Sequence, residues 1–248
     1  MTGVYRIADV NIEIRSLYPA VHSYCRNYAS DGIPELVIES VPEDIAYERR
    51  KAVREAEAEG RPVRDYPDDY LEELAVYRRI CEKMPFYDTI LFHGSAVSVD
   101  GCAYLFTAPS GTGKSTHTRL WRELLGGRAL MINDDKPLIR IHAEGAPIVF
   151  GTPYDGKHRL SCNAAVPLRA VCLLERSASN HIRSADAQEL YPALLAQIYR
   201  PADRSAAIRT LELFDRMLHG VKLFRLSCNM ETEAAQIAYE AMRRSELS

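Results

Sequence analysis

What the chain lacks narrows it before any motif is read. No stretch approaches the roughly eighteen consecutive apolar residues of a membrane-spanning helix, so a helical membrane protein is not expected. Neither sign of charge dominates: 31 Lys and Arg against 34 Asp and Glu leave a formal net charge of −3. That balance supplies no general attraction to nucleic acid, and a nucleic-acid partner would need a local basic patch. The six cysteines (Cys25, Cys81, Cys102, Cys162, Cys172, Cys228) are widely spaced, form no C-x-x-C pair and mostly sit in apolar runs. Reduced, buried thiols are therefore expected rather than disulfides, and no two histidines have the spacing of a structural zinc site. Met1-Thr2-Gly3-Val4-Tyr5-Arg6 has neither the charged start nor the apolar run of a secretion signal, which makes the cytoplasm the expected compartment. Internal repeats, low-complexity tracts and Gly/Ser-rich linkers are all missing.

What is there is an ordinary globular composition, 47% apolar and 26% charged over 248 residues. This is enough chain for one large domain, or for a core with a smaller lobe. The most informative stretch runs from residue 90 to 135. Ala108-Pro109-Ser110-Gly111-Thr112-Gly113-Lys114-Ser115 follows the phosphate-cradling pattern G-x-x-x-x-G-K-[ST], with Ala108 in place of the first glycine. Gly111 and Gly113 free the backbone to turn its N–H groups toward a polyphosphate, Lys114 offers a mobile positive charge, and the Ser115 hydroxyl suits Mg²⁺. An apolar, strand-like run, Cys102–Thr107, precedes the loop, and a helical run from Ser115 to Leu125 follows it and stops at Gly126-Gly127. Phosphate would then sit at a helix N-terminus, which makes Ser110, Gly111, Thr112, Gly113, Lys114, Ser115 and Thr116 the candidate nucleotide-binding residues.

Downstream, Arg128–Ile132 reads as a short buried strand ending in Asn133-Asp134-Asp135. Carboxylates at the end of such a strand suit a second Mg²⁺ contact from one aspartate and acceptance of a hydroxyl proton by the other. Upstream, Ile90–Val99 and Cys102–Thr107 flank Asp100-Gly101, a two-residue hairpin signal. A loop strand entered from a hairpin has an antiparallel neighbour, unlike the parallel βαβ entry of most P-loop folds. The expected fold is α/β with a mixed, partly antiparallel sheet, preceded by a small N-terminal α+β region. The division falls at 1–85 and 86–248, where Pro85 closes a helical stripe starting near Asp68.

Around this centre the remaining elements follow from pattern. Residues 4–14 suggest a strand or hairpin, Leu36–Glu39 a strand, and Ser40-Val41-Pro42-Glu43 the opening of a solvated, weakly packed helix over 44–59. A second hairpin is expected from Leu138–His142 and Pro147–Phe150, then a loop, Gly151–Arg159, with basic residues at 157–159. Leu168–Glu175 reads as a buried strand, Asp186–Tyr199 as a helix, and 203–219 as a helix with Ile208, Leu211, Phe214, Met217 and Leu218 on its apolar face. Val221–Leu226 alternates as a strand, and 231–243 forms a last helix.

The run His93-Gly94-Ser95-Ala96-Val97, the hairpin, Gly111–Ser115 and Asn133-Asp134-Asp135 together resemble the catalytic core shared by HPr serine kinase/phosphorylase and ATP-dependent phosphoenolpyruvate carboxykinase. The resemblance covers residues 86–175 well and the rest of the C-terminal part loosely; the N-terminal portion matches neither. It implies ATP and Mg²⁺ as cofactors, with Ser115, Asp134 and Asp135 at the metal. It also implies His93 beside the acidic pair, and Lys157 or Arg159 facing the transferred phosphate. Lys114, Asp134, Asp135, His93, Lys157 and Arg159 are thus the catalytic candidates.

The implied activity is transfer of the γ-phosphate to a hydroxyl, either of a small-molecule alcohol or of a serine on a protein or peptide. The residues do not distinguish the two aspartates' roles, the acceptor, a reverse phosphorylase reaction, another phosphate donor or assembly into a homo-oligomer. A carboxykinase is the rival enzyme, but those relatives are about twice as long and leave no evident room for oxaloacetate-binding segments. A nucleotide-gated binding module without catalysis is the rival of another class.

Overall fold

The computed structural model describes residues 1–156 and 159–244; Lys157 and His158 lie outside the described residues. The chain divides into two units, Met1–Lys83 and Met84–Ser248.

In the first unit, Ala8 and Asp9 both take positive φ (47° and 60°), a turn that folds β1 (Thr2–Ile7) back onto β2 (Val10–Arg15). Helix α1 (Ala20–Cys25) follows, and β3 (Leu36–Glu39) adds in parallel to β2 to give the order β1-β2-β3. Helices α2 (Pro42–Ala58) and α3 (Asp68–Lys83) complete the unit. Ile12, Ile14, Leu71, Ala75 and Ile80 are all fully buried.

The expected weak packing of α2 is corrected by charge. Arg78 on α3 donates to Glu48 at 2.5 Å and to Asp44 at 3.0 Å, and Arg79 donates to Asp44 at 2.8 Å. Asp44 and Glu48 lie one helical turn apart, so both reach the same face. The helix opens at Val41 rather than Ser40: Asp44 accepts from the Val41 N–H, and the Ser40 hydroxyl turns to Glu72 instead.

In the second unit the fold is mixed α/β. A nine-stranded sheet carries the core path β4-β8-β9-β10-β6-β5-β7, built from β4 (Thr89–Leu91), β5 (Ser95–Val99), β6 (Cys102–Thr107), β7 (Ala129–Asn133), β8 (Leu138–Arg140), β9 (Ile148–Phe150) and β10 (Ala165–Arg176). Helix α4 (Lys114–Leu125) follows β6. Beyond β10 come β11 (His181–Ser184), α5 (Ala187–Leu195), α6 (Arg204–His219), β12 (Lys222–Cys228) and α7 (Thr232–Arg244). Strand β10 pairs in parallel with both β6 and β12, whereas β5 pairs antiparallel with β6 and β7.

The period-two alternation of strand side chains divides the core between the two faces of this sheet. Ala103, Leu105, Val171 and Leu173 join a cluster with Leu190, Leu194, Leu213, Phe214 and Met217 of α5 and α6. Their neighbours Tyr104, Phe106, Cys172 and Leu174 join one with Leu120 and Trp121 of α4 and Ala235, Ala238 and Met242 of α7.

Asp100-Gly101 makes the expected two-residue turn, with φ of 50° and 79° and Val99 paired to Cys102. Other expectations change. The run Ile90–Val99 is two strands, because Phe92 and His93 leave the ladder to donate to the carbonyls of Pro137 and Gln197. A Cβ at Gly94 would lie 2.9 Å from the Phe106 carbonyl, a close approach that only glycine permits. The helix opened by Asp186 stops at Leu195, and Ile198 instead bridges to Phe92. On α6, Ile208 and Leu211 are exposed, and Leu213 and Ala206 take their places in the buried face. Among the described residues β7 pairs only with β5, and its Leu130 is exposed rather than buried.

Candidate functional site

Two strand ends and one loop build the site. Strand β6 is buried from Ala103 onward, and its last residue, Thr107, fixes the neighbouring turn by donating to the His93 carbonyl at 2.9 Å. The loop then leaves the sheet through Gly111 (φ 78°) and Gly113 (φ 123°) and enters α4 at Lys114. Both glycines occupy backbone space that a side chain would strain. Ala108 does not: it is absent from the positive-φ residues, so an L-residue fits where the pattern usually has glycine. No side chain caps α4, which leaves its first-turn N–H groups for a ligand.

Lys114 is buried, and its ammonium donates to the Ala108 carbonyl at 3.0 Å. Burial pulls its pKa down, opposed by the charges of Asp135 and Asp134. A cation partly stripped of water beside two carboxylates has much to gain from an arriving anion.

The acidic pair is held by its neighbours. Asn133, fully buried at the end of β7, accepts from the N–H groups of Asp135 (2.9 Å) and Lys136 (2.7 Å) while its amide donates to Thr152 (3.0 Å). Asp134 is buried, and the Ser95 hydroxyl donates to its Oδ1 at 2.6 Å. Asp135 is half-buried, with Oδ1 3.3 Å from His93 Nε2 and Oδ2 3.7 Å from Lys136 Nζ. Burial alone would raise the Asp135 pKa; the His93 hydrogen bond, with Lys136 and Lys114, outweighs it and brings the carboxyl below its ordinary value. His93 is oriented in turn by Gln197, 3.1 Å from its Nδ1.

These residues meet around one open cavity of about 410 Å³, lined by Ser110, Gly111, Gly113, Lys114, Ser115 and Thr116 on one side and by His93, Asp134, Asp135 and Gly156 on the other. Thr112 lines an adjoining cavity. Arg159 is exposed, with φ 49°, and is not among the residues lining either cavity; Lys157 lies outside the described residues.

The donor set fits a hard cation. Ser115 contributes a hydroxyl, Asp134 keeps Oδ2 beside Gly156, and a Cβ at Gly156 would sit 3.1 Å from that oxygen. No group of three or more His, Cys, Asp or Glu suited to a metal occurs among the described residues.

Sequence reasoning missed Ser95, Gln197 and Arg176. Arg176, the last residue of β10, donates to the Gly111 and Thr112 carbonyls and ties the loop to the sheet. Ser95 stood within a motif already quoted; Gln197 lies 104 residues from His93 and carried no local signal.

No helix of the described residues is long and apolar enough to cross a membrane. No family model matches the chain, and no curated protein matches it. Among solved structures, the Hpr(Ser) kinase/phosphatase from Coxiella burnetii aligns with a TM-score of 0.31 at 11% identity, covering 62% of this chain and 93% of that one. A likeness of that size establishes neither a family nor an activity.

Proposed function

We propose that the second unit is an ATP-dependent phosphotransferase that passes the γ-phosphate to a hydroxyl acceptor. The observation that carries the reading is the meeting, across one cavity, of the uncapped start of α4, Lys114 and Ser115 with Asp134 and Asp135. A polyphosphate needs the first group, and an attacking hydroxyl needs the second.

In this reading the amides of residues 110–116 and the Lys114 ammonium bind the phosphates. Ser115 and Asp134 hold Mg²⁺, which when bound offsets charge on the transferred group. Asp134 suits that task because Ser95 fixes Oδ1 while Oδ2 lies beside Gly156 at the cavity wall. Asp135 orients the acceptor hydroxyl and takes its proton, being ionised at neutral pH and steered by His93. The acceptor oxygen forms the new bond to phosphorus as the bond to the ADP oxygen breaks, and the proton ends on the Asp135 carboxylate. Lys157 and Arg159 stay candidates for countering charge on the phosphoryl group.

Incubating the purified chain with γ-labelled ATP, Mg²⁺ and a fractionated cytosolic extract tests this directly. Label in a small molecule identifies an alcohol kinase, and label on a polypeptide identifies a serine kinase. ATP binding without transfer, unchanged by Asp135→Asn, would replace the enzyme with a binding module.

A further inference from the structure

The phosphate cavity has a neighbour that the reading above leaves unused. It holds about 450 Å³ and shares Gly111, Gly113 and Thr116 with the phosphate cavity. Its character differs: Leu120, Leu174 and Met230 give it apolar walls, where the first is walled by charge. Arg176 fixes the shared wall through the Gly111 and Thr112 carbonyls.

His117 also lines this second cavity. The side chain is 3% exposed, wedged edge-on against Phe106 at 4.6 Å between centroids. Its Nε2 accepts from the Trp121 indole N–H at 3.1 Å. Because an indole nitrogen can only donate, the proton of a neutral His117 sits on Nδ1. Burial keeps the ring neutral, lowering its pKa to about 4. Nδ1 is buried and has no hydrogen-bond partner. Such donors are rare in folded proteins, and each calls for a partner.

We infer that this cavity receives the nucleoside half of the phosphate donor, its planar heterocycle against the apolar walls and an acceptor atom of the nucleoside on His117 Nδ1–H. The inference rests on the phosphotransferase reading and adds to it the location of the base and ribose. A cavity sharing the loop's glycines adjoins the phosphate site, and a nucleoside is joined directly to the α-phosphate of the chain that would lie there. The apolar lining supplies a ring-binding surface, and the unpaired donor supplies direction.

The test compares Mg·ATP with Mg·tripolyphosphate, which carries the same phosphate chain without the nucleoside. Binding is followed by calorimetry and by the emission of Trp121, the chain's one tryptophan, which is bonded to His117. The expected result is ATP binding at least about tenfold tighter than tripolyphosphate, with a change in Trp121 emission from ATP alone. His117→Phe then weakens ATP by about tenfold and leaves tripolyphosphate unchanged, the loss of one hydrogen bond. Should His117→Phe fail to fold, Met230→Ala, at an exposed position on the rim, is expected to weaken ATP a few-fold while sparing tripolyphosphate. Equal affinities for the two ligands, with no emission change specific to ATP, would overturn the inference and leave the phosphate site standing. Binding of neither would remove the phosphotransferase reading and this inference together.

Discussion

His93 Nε2 and Asp135 Oδ1 lie 3.3 Å apart, with the opposite ring nitrogen of His93 held by Gln197. The pair brings a residue that breaks out of the sheet between β4 and β5 against the turn that ends β7, and it helps hold the Asp135 carboxyl below its ordinary pKa. Its first consequence concerns pH. With His93 present the Asp135 carboxyl titrates below its ordinary value. Replacing His93 by Phe removes that bond and lets burial raise the pKa. The acidic limb of the kcat/KM profile for phosphate transfer should move to higher pH. The sign for stability is the matching one: a depressed carboxyl stabilises the fold above its unfolded pKa of about 4, and that stabilisation is lost as pH falls through the folded value. An unshifted acidic limb in His93→Phe would detach Asp135 from catalysis.

Asn133 should act on rate more than on binding. It accepts from the Asp135 and Lys136 amides, and its own amide donates to Thr152 and the Tyr154 carbonyl. Asn133→Ala frees the acidic turn, and kcat is expected to fall by about 10- to 100-fold, as displaced catalytic groups do, with KM for ATP nearly unchanged. A rise in KM with kcat intact would place Asn133 in ATP binding instead.

Gly151 is the strictest glycine of the second unit by contact. An added Cβ would stand 1.8 Å from the Cys162 carbonyl oxygen and 2.7 Å from that of Ile132. Backbone must move to admit it, so Gly151→Ala should destabilise by roughly 3 kcal/mol or more, visible as a lower denaturant midpoint. A midpoint within error of the wild type would contradict the packing described here.

In the first unit, Glu72 is fully buried and accepts from the Leu17 (2.6 Å) and Tyr18 (2.9 Å) N–H groups as well as the Ser40 hydroxyl. Glu72→Ala strands those donors and should destabilise by about 2–4 kcal/mol, with Glu72→Gln restoring part of the loss. Equal stability of the Ala and Gln variants would show that the carboxylate is not what organises them.

Local chemistry made some of this readable in advance. The Asp100-Gly101 turn, the β8–β9 hairpin and the helix start at Asp186 are encoded within a few residues, and each formed where its residues predict; residues 4–14, readable as a strand or a hairpin, form the hairpin. The glycine loop and the acidic pair were quoted from sequence as well, though nothing local shows that they share a cavity. What escaped depends on distant partners. Gln197 reaches His93 because α5 ends early and sends Ile198 across to Phe92, a tertiary event without a periodic trace. Ile208 and Leu211 match a helical stripe as well as Leu213 does, and only the packing of α6 against the sheet decides which are buried. Strand β11 is short and largely exposed, with too little alternation to announce itself.

The central claim is that the loop preceding α4 binds a polyphosphate beside two carboxylates. Equilibrium binding of Mg·ATP to the wild type and to Lys114→Ala measures it most directly, with circular dichroism confirming that both are folded. The account predicts saturable binding by the wild type and an affinity lower by about 100-fold in the variant, the loss of one buried charge-assisted contact to phosphate. Equal affinities, or no binding by the folded wild type, would contradict it.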